Sequence, residues 1–307
     1  MKKKKQQFNL STLICMAVIF GGGLIWNKCQ GKTEQIVTNT ATSHTEQRID
    51  TEETLQDTEE ESNDESATVE GHSEKGVNGG DESILLPVAK KGDKGQILRR
   101  TAYITSYNKV YRLPNWTAWY LPADHTSGSN KRDGIDFQED TDVAEPRATR
   151  SDYYRSGYDR GHMCPAADNK WSATAMSESF LYTNMCPQAG SLNKGAWNDI
   201  EDMCRSWAKK YRAVYIVSGP IFYSKSHKTL GRNKVAVPDA FFKVVLCRKG
   251  TPKAIAFIYD NDDVKGSIEE HVTSVDNVEN ITGYDFFSGL PDDIENKVEK
   301  KSNLSEW

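Results

Sequence analysis

The chain has 307 residues, of which 37% are hydrophobic and 27% charged, and its formal net charge is −5 at pH 7. This length would accommodate one large domain or two small ones. The charge excludes a protein that binds nucleic acid through a generally basic surface, so any basic surface must be local.

The N-terminus combines positive charge with an apolar segment. Lysines occupy positions 2–5, and the run from Phe8 to Trp26 is interrupted only by three polar residues and three glycines. This pattern predicts a signal peptide or a membrane anchor within residues 1–30, and the lack of a convincing small-residue cleavage site favours the uncleaved anchor. Because positive charge before the span keeps the N-terminus cytoplasmic, the remainder is predicted to be exported: membrane-anchored with an extracytoplasmic domain, or secreted or periplasmic.

Residues 31–96 are predicted to form an acidic disordered linker. They are rich in Thr, Ser, Glu, Asp and Gly and show no sustained hydrophobic period. Residues 45–70 contain eleven acidic side chains and one basic side chain, Arg48. This segment accounts for the negative charge of the chain, so the predicted domain, residues 97–307, is close to neutral.

The domain is predicted to be α+β, with a mixed, mainly antiparallel sheet and flanking helices, because its strands cluster rather than alternate with helices. Helices are predicted near 174–179 and from Asn193 to about Lys210, and Gly219 and Pro220 are predicted to end a strand. Trp116, Trp119 and Trp197 are predicted to pack in the core, together with Trp171. Apolar or alternating runs predict five strands, near 102–107, 116–121, 214–218, 241–247 and 254–259.

Four of the six cysteines lie in the domain: Cys164, Cys186, Cys204 and Cys247. In an exported protein they would form two disulfides, in any of three pairings. A zinc site is the alternative, but spacings of 22, 18 and 43 residues contain no C-x-x-C pair.

One predicted helix carries polar residues at steps of four. Asn193, Trp197, Glu201 and Arg205 would form one stripe along it. The structural alternative is a surface ion pair between Glu201 and Arg205, which would contribute only a few tenths of a kcal/mol. Upstream, "DRGH" at 159–162 places Arg160 and His162 two residues apart.

The domain resembles the DNA/RNA non-specific endonuclease family, whose active site is a ββα-metal, or His-Me, finger. The resemblance rests on "SGYDRGHMCPAADN", "TNMCPQ" and "LNKGAWNDIE", in that order, and covers essentially the whole predicted domain. It implies a metal-dependent nuclease that leaves 5′-phosphates. It further implies that His162 is the general base and Asn193 the metal ligand. The supporting polar positions of the site would be Arg160, Asn184, Glu201 and Arg205.

These residue types suit phosphodiester hydrolysis on chemical grounds. Histidine can accept a proton near neutral pH, and a hard ion such as Mg²⁺, with Mn²⁺ as an alternative, takes few protein oxygens. Glu201 lies two turns beyond Asn193, about 12 Å along a continuous helix, so it is expected to hold metal-bound water rather than the ion. Arg160 and Arg205 suit contact with phosphate, and Asp159 is expected to orient Arg160.

The approach to this site is locally basic and aromatic. Arg147, Arg150 and Arg155 precede Tyr158 and interleave with further tyrosines. An ordinary surface loop would explain this pattern. The functional interpretation is a strip that binds the nucleic-acid backbone without reading bases.

The sequence therefore predicts a Mg²⁺-dependent nuclease that cleaves DNA and RNA. Its partners would be these two substrates and, if the N-terminal segment is uncleaved, a membrane; the sequence leaves the oligomeric state open. Two alternatives remain: a non-catalytic nucleic-acid-binding or adhesion module, and a phosphodiesterase that acts on another phosphoester.

Overall fold

A computed structural model of the protein describes residues 79–89 and 95–307. The predicted N-terminal span and most of the predicted linker lie outside these residues. The first half of the described chain contains α1 (Glu82–Leu85), β1 (Val88–Ala89), β2 (Gln96–Arg99), β3 (Ile104–Asn108), β4 (Leu113–Pro122), α2 (Arg150–Tyr153), β5 (Asp159–His162), α3 (Ala173–Glu178), β6 (Met185–Gln188), α4 (Gly190–Lys194) and α5 (Ala196–Tyr211). The second half contains β7 (Ala213–Ile221), β8 (Thr229–Leu230), β9 (Val235–Ala236), β10 (Ala240–Cys247), β11 (Lys253–Asp260), β12 (Val272–Thr273), α6 (Val275–Thr282), β13 (Tyr284–Asp285) and α7 (Asp292–Glu299).

A seven-stranded antiparallel sheet organises the fold, in the order β12-β11-β10-β7-β4-β3-β2. The five predicted strands are its five central strands, and the helices flank it, so the predicted fold class is confirmed. The central strands were recognisable because β10, for example, is buried on both faces and is apolar at seven of its eight positions. The short strands β2 and β12 at the two edges were not predicted.

The predicted strand end at Gly219 and Pro220 is wrong, because β7 continues to Ile221. Pro220 pairs with Phe241 of β10, whereas the pairing of β7 with β4 reaches only Ser218 on this side. At Pro220 the strand therefore has one partner instead of two. A proline, which has no N–H to donate, is tolerated at such an edge position.

The two faces of the sheet pack against different helices. Along β10, Phe241 and Val245 contribute to a core shared with α5, whereas Phe242 and Val244 contribute to a core shared with α1, α6 and α7. Of the four predicted core tryptophans, Trp116, Trp119 and Trp197 are buried, and Trp171 is partly buried and packs against the first core. The residues discussed below as a site lie on the α5 side.

The predicted helix from Asn193 to Lys210 is two helices. Helix α4 ends at Lys194 and α5 begins at Ala196, with Gly195 between them. The Gly195 N–H donates to Ser191 O at 3.0 Å, and a Cβ at Gly195 would lie 2.8 Å from this oxygen. The predicted single stripe is therefore wrong, and the separation of 12 Å that it implied between Asn193 and Glu201 does not apply.

Two further expectations change. The four cysteines of the domain are buried and free, so the predicted disulfides are wrong. Burial in an apolar core is a common place for a free cysteine, and it accounts for these residues without an oxidising compartment. In addition, Ile84 and Leu85 are buried and β1 pairs with β13, so the ordered structure includes residues that were assigned to the linker.

Candidate active site

A cavity of about 870 Å³ lies beside β5, α4 and α5, and we call it the site cavity. It collects side chains from four separate stretches of the chain. Its lining comprises Gly128, Asn130, Lys131, Arg132, Asp133, Phe137, Tyr158, Asp159, Arg160, His162, Pro165, Ala166, Ala167, Lys170, Met176, Asn193, Lys194, Asn198, Glu201 and Arg205.

Strand β5 brings Arg160 and His162 to the same side of a two-stranded antiparallel sheet. It pairs with β6, so that Arg160 lies opposite Pro187 and His162 opposite Met185. Residues two apart on a strand share a face, and both side chains line the site cavity. This small sheet was not predicted, because its strands have only four residues each and β6 contains a proline.

The His162 ring is enclosed by aromatic side chains. Its centroid lies 5.1 Å from that of Phe180, edge to face, and 5.8 Å from that of Phe137. Nε2 has no hydrogen-bond partner among the described residues. Burial, aided by the positive charge of Arg132, lowers the pKa of His162 to about 3. The imidazole is therefore neutral at physiological pH and able to accept a proton.

Asn193 at the end of α4 is held by Asp159. Its Nδ2 donates to Asp159 Oδ2 at 3.1 Å, and Lys194 Nζ lies 2.9 Å from the same oxygen. Asp159 thus holds Asn193 and Lys194, and the prediction that it orients Arg160 is not supported by any hydrogen bond between them. Because the amide nitrogen is engaged, the Asn193 Oδ1 carbonyl is the atom left to bind a ligand.

Glu201 of α5 lines the same cavity, and its carboxyl makes no hydrogen bond to another described residue. Burial raises the pKa of its carboxyl to about 7, and the positive charge of Lys243 opposes this rise. Lys243 is fully buried on β10, with Nζ 4.4 Å from the ring centre of Trp197 and 5.1 Å from that of Trp119. Sequence reasoning missed Lys243, because it interrupts an apolar strand far from the recognised motifs.

Arg205 is paired with aspartates, so the structural alternative, a surface ion pair between Glu201 and Arg205, does not hold. Its Nη1 donates to Asp168 Oδ1 at 2.9 Å and its Nη2 to Asp202 Oδ1 at 2.5 Å. Asp168 is buried and also accepts from Trp119 Nε1 at 3.0 Å. Although burial alone would lower the pKa of Arg205, these two carboxylates hold it above its usual range. The guanidinium is therefore fixed and charged at the cavity wall.

Asn184 does not line the site cavity, although the sequence placed it with the catalytic residues. It is fully buried, its Nδ2 donates to Cys164 O and Ser179 O, and its Oδ1 accepts from Cys164 N, each at 2.9 Å. These bonds fasten the segment that follows His162 to the end of α3. Asn184 therefore positions the site rather than contacting a substrate in the cavity.

The predicted nucleic-acid strip is only partly at the cavity. Tyr158 lines it, whereas Arg147 forms ion pairs with Glu139 and Glu145 at a separate hollow. Arg150 and Arg155 are exposed and are not among the lining residues. The basic rim comes instead from side chains that sequence reasoning missed, namely Lys131, Arg132, Lys170 and Lys194. With Arg160 and Arg205 they give six basic lining residues against three acidic ones.

The oxygen atoms of the cavity suit a hard divalent cation. Asn193 and Glu201 both line the site cavity, and within the described part of the chain neither the Asn193 Oδ1 nor the Glu201 carboxyl is hydrogen-bonded to a neighbouring side chain. Such ions prefer carbonyl and carboxylate oxygens and retain several waters. The residues present therefore fit a metal ion of this class.

Comparison with known proteins gives concordant matches. The family model for DNA/RNA non-specific endonucleases matches residues 82–293. Nuclease C1 of Cunninghamella echinulata is 37% identical over 223 residues, 67% of this chain and 88% of that protein. Mitochondrial endonuclease G of Bos taurus is 34% identical over 219 residues, 66% of this chain and 73% of that protein. A crystal structure of the EndoG/EndoGI complex matches with a TM-score of 0.62 and 28% identity, over 66% of this chain and 91% of that chain.

The same comparison contradicts the predicted localisation. Several of the similar proteins, from Bos taurus, Danio rerio and Saccharomyces cerevisiae, are named as mitochondrial nucleases. The prediction of an exported protein, membrane-anchored or secreted, is therefore wrong. Among residues 79–89 and 95–307, no helix is long and apolar enough to cross a membrane.

Proposed function

Since the chain belongs to the DNA/RNA non-specific endonuclease family, and is therefore a nuclease that hydrolyses phosphodiester bonds with a divalent metal ion, we propose that this reaction takes place in the site cavity. His162 is the general base and Asn193 the direct protein ligand of the ion, for which we propose Mg²⁺, with Mn²⁺ as the alternative. The observation that carries this proposal is that a neutral His162, whose Nε2 has no hydrogen-bond partner among the described residues, and Asn193, whose Oδ1 is left without one, line the same basic cavity.

His162 would take the proton from the attacking water. Burial, with a contribution from the positive charge of Arg132, lowers its pKa and keeps the ring unprotonated. Trp197 Nε1 donates to the His162 carbonyl oxygen at 3.3 Å, so a side chain of α5 holds the main chain of His162 in place. Proton removal by a positioned base contributes about 10²- to 10⁴-fold to a rate.

Asn193 would hold the metal ion by Oδ1, while Asp159 fixes the amide by accepting from Nδ2. Glu201 would accept hydrogen bonds from metal-bound water, because its carboxyl lines the same space with no other partner. When bound, the ion would supply positive charge against the phosphate and the leaving oxygen. A neutral amide ligand leaves most of this charge available to the substrate.

Two arginines would bind the phosphate. Arg160 Cζ lies 4.4 Å from the ring centre of Phe137, which holds the guanidinium at the cavity wall beside His162. Arg205 is fixed by the buried Asp168, and the exposed Asp202 adds a second hydrogen bond. The surrounding lysines and Arg132 suit the backbone of a nucleic acid, which DNA and RNA share, so the cavity is expected to accept both sugars.

The experiment that tests this proposal is cleavage of plasmid DNA, RNA and a small phosphodiester by the purified full chain, with Mg²⁺ and with EDTA. We expect cleavage of both polymers with Mg²⁺ and none with EDTA. Turnover of the small diester with both polymers left intact would instead favour a phosphodiesterase that acts on another phosphoester. Metal-independent cleavage would overturn the assigned role of Asn193.

A further inference from the structure

Three carboxylates meet on the face of the sheet that is remote from the site cavity. Asp276 and Glu279 belong to α6, and Glu299 belongs to α7. One carboxylate oxygen from each can be chosen so that all three lie within 4.8 Å of one another. We call this group the rear acidic cluster. It joins two helices that pack on the core containing Phe242 and Val244.

The rear acidic cluster is buried at its centre. Glu299 is 5% exposed and Glu279 is 6% exposed, whereas Asp276 is partly accessible. One oxygen of Glu279 accepts from Phe286 N at 2.8 Å. Oε1 of Glu299, in contrast, is inaccessible to solvent and has no hydrogen-bond partner among the described residues.

Charge makes this arrangement unfavourable unless a positive species joins it. A buried carboxylate without a partner loses its hydration, and carboxylates this close repel one another. No lysine or arginine in the described part of the chain forms an ion pair with Glu299. A cation or a proton must therefore occupy the group at neutral pH.

We propose that the rear acidic cluster binds a divalent cation, with Ca²⁺ as the ion that fits best, and thereby joins α6 to α7. Ca²⁺ binds oxygen at about 2.3–2.6 Å, so two ligands on opposite sides of one ion lie about 5 Å apart. Oxygens within 4.8 Å of one another can therefore share it. The accessible side, at Asp276, would admit the waters that complete the coordination.

Two features separate this site from the nuclease reaction. It contains none of the residues of the site cavity. Glu299 also lies beyond residues 82–293, the segment matched by the family model, so the third ligand is not part of the matched family pattern. The ion would stabilise the rear helices rather than take part in hydrolysis.

The test is calorimetric titration of Ca²⁺ into metal-free full-length protein that carries N193A, which silences the proposed site in the cavity. We expect one equivalent to bind and the melting temperature to rise. N193A/E299Q should lose both effects. N193A/D292N, altered at an exposed carboxylate in the first turn of the same helix, should retain them.

Circular dichroism in EDTA controls for folding, and D276N, at the most accessible ligand, provides a milder second variant on the N193A background. Loss of Ca²⁺ binding in either ligand variant, with a native spectrum, supports the proposal. The proposal is overturned if N193A binds no Ca²⁺ and its melting temperature does not respond, because a proton then occupies the cluster. Unchanged binding in both ligand variants overturns it as well. Neither result depends on whether His162 and Asn193 act as proposed.

Discussion

Asp168 is expected to hold Arg205 in the position that binds phosphate, and D168N tests this. The two carboxylate oxygens of Asp168 accept from two different donors, Arg205 Nη1 and Trp119 Nε1. Asparagine has the same shape but only one acceptor oxygen. One of the two buried donors must then face an amide N–H₂, and the guanidinium loses a buried negative partner.

The magnitude follows from burial. Hydrogen bonds to charged groups contribute about 1.5–3 kcal/mol, and breaking one partner of a buried ion pair costs about 3–5 kcal/mol. Because asparagine keeps one of the two bonds, we expect D168N to lower the free energy of unfolding by about 2–4 kcal/mol. A small displacement of Arg205 should also lower kcat/KM for plasmid cleavage by about 10- to 100-fold.

Asp202 provides the matched control, because it binds the same guanidinium from a side chain that is 65% exposed. Exposed ion pairs contribute about 0–1 kcal/mol, so D202N should stay within this range and keep near-normal activity. Urea unfolding and initial cleavage rates should be measured for wild type and both variants. Equal destabilisation by D168N and D202N, or wild-type behaviour of D168N, would refute the reasoning.

Two further predictions concern the metal and acid stability. N193A should nearly abolish cleavage and weaken Mg²⁺ binding, whereas E201Q should keep measurable activity with weaker Mg²⁺ dependence. A Mg²⁺ titration of plasmid cleavage checks both variants. If E201Q is as inactive as N193A at saturating Mg²⁺, Glu201 binds the ion directly. Although burial alone would raise the pKa of Asp152, hydrogen bonds from Asn233 and Thr149 lower it. The stability from this depressed pKa is present above the unfolded-state pKa, about 3.9, and is lost as the pH falls through the folded-state value. D152N should therefore have a lower free energy of unfolding than wild type at pH 7, and this difference should shrink when unfolding is measured below about pH 4. A difference in unfolding free energy that does not change with pH would contradict this prediction.

The sequence was informative where local pattern and structure agree. The central strands β4, β7, β10 and β11 are long and largely buried, so their apolar runs were sufficient to predict them. The recognised motifs also predicted that His162 and Asn193 belong to one site, and both residues line the site cavity. These features depend on residues that are close in the sequence or on motifs of fixed order.

The remaining features depend on contacts that a sequence pattern does not encode. The four-residue spacing from Asn193 to Arg205 is typical of one continuous helix, but the close approach of Gly195 to Ser191 O divides this segment into two helices. Asn184 belongs to the recognised motif, yet both polar atoms of its side-chain amide are hydrogen-bonded to buried backbone groups. Asp168 stands in the recognised motif and Lys243 in a distant strand, but no sequence pattern marked either of them as a partner of α5.

The most direct test of the central claim is single-turnover cleavage of plasmid and RNA by H162A at saturating Mg²⁺, with substrate binding measured in parallel. A neutral His162 ring that acts as the base predicts a loss of about 10²- to 10⁴-fold in rate on both substrates, with binding nearly unchanged. Cleavage by H162A at more than about a tenth of the wild-type rate would contradict this account, because proton abstraction contributes more than that.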